Sequence, residues 1–371
     1  MNRISALTVV YRGQHDIERS RVDFIISAML GLADQVDFVH LSPGIGSGEA
    51  ELLEFTKRHA RVRHSTFISA STRRTFAARR ELRRSLRPDA STVVVVGFSA
   101  WPFAIGNDCL AWFINGIPEE RLLTRRDLRS KLAVRLGWWG ARMARPRTII
   151  VVSKPMLTLV RSRLGCDSVV VVPNAVDGQT YHALDQERQF LTYQGGGSPW
   201  QGLDRLAEVW GALHLLDPTL RFRVISRDER TRVLGRALPP EAIDFASAQD
   251  ADGVNRLLAE SRLGFLFRPN DVVNAVSWPM KYGEYLSAGA AVVVTDCGWD
   301  LQHHVVEHGA GIVVQWDAPA ERTAAIILNY LTSPEGLSEA GVQHAALSLE
   351  SGRWERVLIE ALTESAMKEL K

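Results

Sequence analysis

Short runs of consecutive apolar, mostly β-branched residues recur along this chain, set apart by stretches of helical periodicity or by polar loops. In the first half they are Ser5–Val10, Gln35–Leu41, Ser91–Val96, Cys109–Ile114, Thr148–Val152 and Ser168–Val172, with helical stretches at Arg21–Ala33, Leu128–Met143 and Pro155–Leu164. A loop at Pro173–Arg188 interrupts the pattern. It restarts at Phe190–Tyr193, Arg221–Ile225, Leu263–Leu266, Ala291–Thr295 and Gly311–Val314, with helical stretches at Gln201–Leu216, Asp250–Glu260, Met280–Ala288 and Ala320–Leu331. A strand apolar on both faces must be covered on both faces, which is the condition of a parallel sheet between two helical layers. The fold class expected is therefore α/β, with two Rossmann-like doubly wound domains, residues 1–172 and 173–345. Ligands of such sheets bind beyond the carboxyl ends of the strands, so the cleft between two such domains is the expected site.

Composition narrows the function classes. Of 371 residues, 46% are hydrophobic and 23% charged, as in an ordinary globular chain rather than a disordered or coiled-coil one. Met1–Val10 lacks the basic start and apolar run of a signal peptide, and no stretch reaches the 18 or so apolar residues of a membrane span. Cys109, Cys166 and Cys297 are odd in number and far apart, which fits a reducing cytoplasm and no disulfide framework. The net charge of +2 conceals an asymmetry. Residues 1–190 hold 28 Lys+Arg against 18 Asp+Glu, a net +10; residues 191–371 hold 16 against 24, a net −8. Oppositely charged halves imply domains that meet different partners.

In the second half, Phe190–Tyr193 runs into Gln194-Gly195-Gly196-Gly197-Ser198-Pro199-Trp200-Gln201. Glycines let backbone amides approach a ligand, Ser198 and Pro199 are helix-start residues, and a helix start after a glycine turn suits a phosphate. The same run also reads as a plain strand-to-helix turn. Arg268 ends a strand-like run. Ser277 and Pro279 signal a helix start and Gly289 its stop, which places Lys281 near the positive end of the helix dipole, where a cation needs an anion close by. A sugar-nucleotide diphosphate supplies that anion, with Arg268 as second cation. Glu284, on the same helix face as Lys281, can accept hydrogen bonds from both ribose hydroxyls. A surface Lys281–Glu284 pair worth a few tenths of a kcal/mol is the alternative.

In the first half, arginines cluster at Arg73, Arg74, Arg79, Arg80, Arg83, Arg84 and Arg87 and again over Arg121–Arg147, the latter around Trp138-Trp139. Arginines with interfacial tryptophans suit a helix lying on an anionic bilayer, while a solvated helix face with core aromatics is the other reading. No nucleic-acid motif accompanies them, so no nucleic-acid partner is expected. Asn115 follows a strand, and its amide can hydrogen-bond a donor hydroxyl but not act as a base. Glu119 and Glu120 in the same loop read either as acceptor contacts or as the acidic first turn of a helix. Arg12 and Gly13 read as acceptor contacts or as a turn. His304-Val305-Val306-Glu307-His308 matches the H-x-x-E-H zinc pattern, but it runs straight into Gly309-Ala310-Gly311 with no third ligand evident, so no metal is expected. There is no P-loop, and no G-x-G-x-x-G follows the first strand.

Ser277-x-Pro279-x-Lys281-x-x-Glu284-Tyr285-Leu286-x-x-Gly289 before a Val-rich strand resembles the donor-site signature of family-4 retaining glycosyltransferases of GT-B fold, most of all their bacterial capsule and exopolysaccharide branch. Asn115-Gly116-Ile117-Pro118-Glu119-Glu120, Val152-Ser153-Lys154-Pro155-Met156, Val172-Pro173-Asn174-Ala175-Val176-Asp177 and Trp354 resemble further elements of that family, in the same order. The resemblance implies a tail, residues 346–371, that packs back on the first domain. It also implies a hexosyltransferase-type enzyme that moves sugar from a UDP- or GDP-type donor to a glycan or lipid-linked acceptor with retention, without a cofactor, at the cytoplasmic face of the membrane. Arg268, Lys281 and Asn115 are then catalytic. Gly195, Gly196, Gly197, Gln201, Ser277, Glu284 and Tyr285 bind the donor, and Arg12, Gly13, Glu119 and Glu120 the acceptor. The sequence departs from the family where an Arg and a Lys often flank the glycine turn, here glycine and Gln201, and where a second Glu often stands, here Val276. A sugar-nucleotide epimerase of this fold and a non-catalytic binding subunit are the alternatives.

Overall fold

The computed structural model describes residues 4–11, 15–42, 61–68, 80, 92–333 and 336–367. It divides into two compact units: Met1–Pro173 with Gly352–Lys371, and Asn174–Ser351.

The strands of the first unit are β1 (Ile4–Tyr11), β2 (Ala33–Ser42), β3 (Val62–Ile68), β4 (Thr92–Val96), β5 (Asp108–Ile114), β6 (Thr148–Val151) and β7 (Val169–Val171). All pair in parallel, in the order β3-β2-β1-β4-β5-β6-β7. Val93–Val96 are wholly buried, as a strand covered on both faces requires. One layer of cover comes from the His15–Leu32 helix, whose Val22, Ile25, Ile26 and Met29 pack on Leu7, Val9 and Val36. The Ser351–Met367 helix joins this core through Leu358 and Leu362, each fully buried and so worth roughly 1.5–3 kcal/mol. Ser27 donates to Glu355 (2.9 Å) and Thr148 to Ser365 (2.8 Å), tying that helix to the first helix and to β6.

The strands of the second unit are β8 (Phe190–Gln194), β9 (Arg221–Ile225), β10 (Ile243–Ala246), β11 (Ser261–Leu266), β12 (Ala291–Thr295) and β13 (Gly311–Val314), again all parallel, in the order β10-β9-β8-β11-β12-β13. Each sheet runs outward to one side from its first strand and then reverses to the other. The crevice where the order reverses lies between β1 and β4 in the first unit and between β8 and β11 in the second.

Two strands go beyond the sequence reading. β3 and β10 are sheet edges, with neighbours on one side only, and carry exposed residues such as Arg63 and Phe245. Half-solvated strands do not form the continuous apolar runs that marked the others. Among the described residues no helix is long and apolar enough to cross a membrane.

Candidate functional site

The carboxyl ends of β8 and β11, with the helix Met280–Ser287 that precedes β12, bring most of the expected donor residues together at the second unit's reversal point. Gln194 ends β8. Gly195 follows in the left-handed region (φ 118°), its N–H donating to Ile225 O (3.0 Å). A Cβ at Gly195 would crowd the Lys281 ammonium, which could move aside; it is the left-handed backbone that requires glycine here. Gly196 O accepts from the Tyr193 hydroxyl (2.7 Å). Gly197 N–H donates to the Asp228 carboxylate (2.8 Å), and a Cβ there would meet Arg230 Cβ at 2.5 Å. The glycine turn is thus crowded by the protein's own Lys281 and Arg230. Ser198 makes no side-chain cap; Pro199–Gln201 forms a single 3-10 turn, and the helix Leu203–Leu216 starts only after Gly202. A cavity of about 670 Å³ borders the turn, lined among others by Gly197, Ser198, Pro199, Arg205, Arg230 and Trp316.

Lys281 is the second residue of its helix. Its ammonium donates to Gln201 Oε1 (3.0 Å) and Tyr193 Oη (3.4 Å) and lies 4.9 Å from the Tyr193 ring centroid. Glu284, one turn on and 8% exposed, accepts from Gln194 Nε2 (2.8 Å) and from the Tyr181 hydroxyl. The surface-pair reading therefore fails: Glu284 is buried and Lys281 partly buried, and each is held by neutral partners. Burial pushes the Lys281 ammonium down to about 7; Arg268 pushes it the same way and Glu284 opposes. Burial also raises the Glu284 carboxyl, against the bond from Gln194 and the pull of Lys281. A partly buried cation and a buried carboxylate, each shifted towards neutrality, are thus set one helical turn apart at the carboxyl end of β8.

Arg268 leaves the end of β11 with its backbone clamped to β12: its N–H donates to Thr295 Oγ1 (2.9 Å) and its carbonyl accepts from the Thr295 hydroxyl (2.7 Å). Its guanidinium, 7% exposed with the rest of the residue, donates to Ser277 Oγ (3.0 Å) and Asn274 Oδ1 (3.3 Å).

Two expectations are corrected here. Ser277 does not start the Met280–Ser287 helix; it ends the Val272–Val276 helix, and its hydroxyl donates to Asn274 O (3.0 Å) while holding Arg268. The N-cap position belongs to Pro279, which has no side-chain cap. Tyr285 lies behind the site: it is fully buried, accepts from Gln194 N–H (2.7 Å) and donates to Thr192 O (3.3 Å), fixing the end of β8. Tyr181, Gln194 and Asp228 were missed. The available signal was a polar residue at the carboxyl end of a strand, which marks Gln194 on β8 and, past β9, Asp228.

In the first unit, Asn115 follows β5 and is partly exposed. Glu119 is engaged rather than free: both carboxylate oxygens accept from Trp138 Nε1 (3.0 and 3.2 Å). Glu120 opens the Glu120–Thr124 helix with its carboxylate against the space a Cβ at Gly116 would take. These two acids thus behave as the start of a helix and the support of a tryptophan. Arg12 and Gly13 lie outside the described residues, as do the clustered arginines from Arg73 to Arg87 apart from Arg80. His304 has both ring nitrogens occupied, Nδ1 by the Tyr282 hydroxyl (2.7 Å) and Nε2 by Ser348 Oγ (2.8 Å). Burial, then His308 and His344, push it down to about 4. It is a packing residue between three helices. Among the described residues no three His, Cys, Asp or Glu side chains are grouped to hold a metal ion.

No protein-family model matches the sequence, and no curated protein matches it. Solved structures match along nearly the whole chain, and they define the class of fold as GT-B. Sucrose-phosphate synthase from Thermosynechococcus elongatus superposes with a TM-score of 0.75 at 10% identity, over 98% of this chain and 100% of that one. Anabaena HepE in complex with UDP-glucose gives 0.72 at 12% identity, over 97% and 99%. The lipopolysaccharide outer core galactosyltransferase WaaB in apo form gives 0.64 at 11%, over 98% and 99%.

Proposed function

We propose that this protein is a glycosyltransferase that takes a sugar from a nucleoside-diphosphate donor, of UDP or GDP type, and passes it with retention to a glycan or lipid-linked acceptor in bacterial surface polysaccharide synthesis. It works at the cytoplasmic face of the membrane, bound peripherally through its basic first unit. The observation that carries the reading is the pair Lys281 and Glu284 on one face of a helix at the β8/β11 reversal, Glu284 buried and Lys281 partly so, both shifted towards neutrality and backed by Arg268. The structural neighbours support the choice of ligand: HepE was solved with UDP and glucose and with UDP-glucose.

In this reading the diphosphate lies against Lys281 and Arg268 and the free amide of Gly196. As the sugar–oxygen bond breaks, negative charge grows on the leaving phosphate oxygen, and two cations already fixed in a poorly solvated site stabilise it without reorganising. Glu284 exchanges the hydrogen bonds of Gln194 and Tyr181 for those of the ribose hydroxyls. The acceptor hydroxyl attacks from the face the diphosphate leaves, and its proton passes to the departing oxygen. Asn115 hydrogen-bonds a hydroxyl of the transferred sugar. Side-chain cations carry the charge, so the reading assigns no metal and no cofactor.

A thermal-shift screen of nucleoside-diphosphate sugars is the first test. Ligand at 100 times its Kd stabilises the folded state by about 2.7 kcal/mol, a shift readily seen in Tm. One donor is expected to stand out, and the shift is expected to vanish in Glu284→Ala. If no nucleotide sugar raises Tm, the donor site is wrongly assigned.

A further inference from the structure

The first unit carries an exposed apolar stripe that its own core does not use. The helix Leu128–Ala141 buries Ser130, Val134, Trp138, Gly140 and Ala141. Trp138 is 4% exposed, with its indole bonded to Glu119 and its ring edge-on to Phe98 at 4.7 Å, so it belongs to the interior and not to an interface. On the opposite face, Leu128, Leu132, Leu136 and Trp139 follow one another at intervals of four, four and three residues, and Met143 comes four further on, just past the helix end. All five are between 52% and 82% exposed. At 3.6 residues per turn they fall within an arc of roughly 80° on the solvent side. Arg129, Lys131, Arg135 and Arg142, all exposed, flank that arc. From Leu128 to Arg147 the sequence has six Lys and Arg and no acid; Asp127, just before it, is used to cap the helix through Ser130 N–H.

We infer that this face docks on an anionic lipid bilayer, with Leu128, Leu132, Leu136, Trp139 and Met143 inserted at the headgroup boundary and the flanking cations on lipid phosphates. Apolar side chains in a narrow stripe with cations on both margins match a surface that is apolar within and negative at its rim. A second copy of this chain is disfavoured, because it would bring the same cations face to face. The inference deepens the membrane part of the proposed function, naming the surface and its mode of binding: insertion of a stripe, not charge alone.

The test is flotation of the full chain with vesicles, in the absence of any nucleotide. Wild type is expected to float with equimolar phosphatidylglycerol and phosphatidylcholine and not with pure phosphatidylcholine. Arg135→Gln and Arg142→Gln are each expected to weaken partitioning about fivefold. The double variant Leu132→Ser/Trp139→Ser is expected to abolish flotation with Tm little changed, since both residues are more than half exposed. Quenching of Trp139 by brominated lipid, taken as the difference from Trp139→Phe, is expected in wild type. Flotation that survives Leu132→Ser/Trp139→Ser, or absence of flotation on anionic vesicles, overturns the inference; so does a concentration-dependent dimer that the double variant dissolves. Donor thermal shift is read separately. Lost flotation with an intact shift sinks the docking face alone, and a lost shift with intact flotation sinks the enzyme reading alone.

Discussion

Lys281 gives the sharpest test of the site, because its charge should change when the donor binds. In the free protein burial, reinforced by Arg268, brings it from 10.5 down to about 7. A diphosphate placed against it restores the charged form. At pH 8 the free protein then carries about 0.1 of a proton on Lys281 and the complex about 1, so binding takes up about 0.9 proton per site. At pH 6 the lysine is charged in both states and this uptake vanishes. The sign for stability follows from the same shift. Between pH 7 and 10.5 the unfolded chain binds more protons at this residue than the folded one, so its contribution to stability rises with pH through that window. Below pH 7 the buried charge is a penalty of order 3–5 kcal/mol, which Lys281→Met removes. The assay is calorimetric titration of the donor found in the thermal screen, at pH 6 and pH 8, in buffers of different ionisation enthalpy. A nucleotide sugar is used because its diphosphate is fully ionised across this range. Wild type is expected to lose affinity about tenfold per pH unit above 7, and Lys281→Met to show weaker binding without proton uptake. Affinity independent of pH from 6 to 9, with no buffer-dependent heat in wild type, refutes the argument that a desolvated lysine meets the diphosphate.

Two further outcomes follow from the neighbours of Lys281. Glu284→Gln removes a carboxylate whose burial opposes ionisation, so at pH 7.5 the free variant is expected to melt no lower than wild type, while donor KM rises about 10- to 150-fold, the value of a charge-assisted hydrogen bond; melting curves and steady-state kinetics read the two effects separately. Tyr285→Phe leaves the Gln194 N–H without its acceptor at the end of β8, so about 1–3 kcal/mol of stability is expected to be lost in urea unfolding with donor KM nearly unchanged; a large KM effect would return Tyr285 to the ligand side.

How much of this was legible depended on whether a residue's role lay in its own neighbourhood. Val93–Val96 and Ala291–Thr295 announced buried parallel strands because every residue in the run is covered. β3 and β10, exposed at the edges, gave no such run. The spacing of Lys281 and Glu284 put both on one helix face, and the structure keeps them there, yet what holds them came from elsewhere in the chain. Gln194 and Tyr181 reach Glu284 from about 90 and 100 residues away, and Gln201 reaches Lys281 from 80. Pairings at that separation depend on which strands become neighbours, which no local pattern records. Ser277 misled because it precedes a proline and a helix, the usual surroundings of an N-cap. The short Val272–Val276 helix, begun by Asp271, claims it first. Tyr285 misled because a motif gives a residue's place in the chain but not the direction of its side chain.

The first unit is assembled from two separated stretches of chain, with the whole second unit inserted between Pro173 and Gly352. During synthesis the second unit can therefore reach its native state while the first still lacks Leu358 and Leu362. The sheet of the first unit, begun before the second unit is made, is completed only after it, when the Ser351–Met367 helix supplies Leu358 and Leu362.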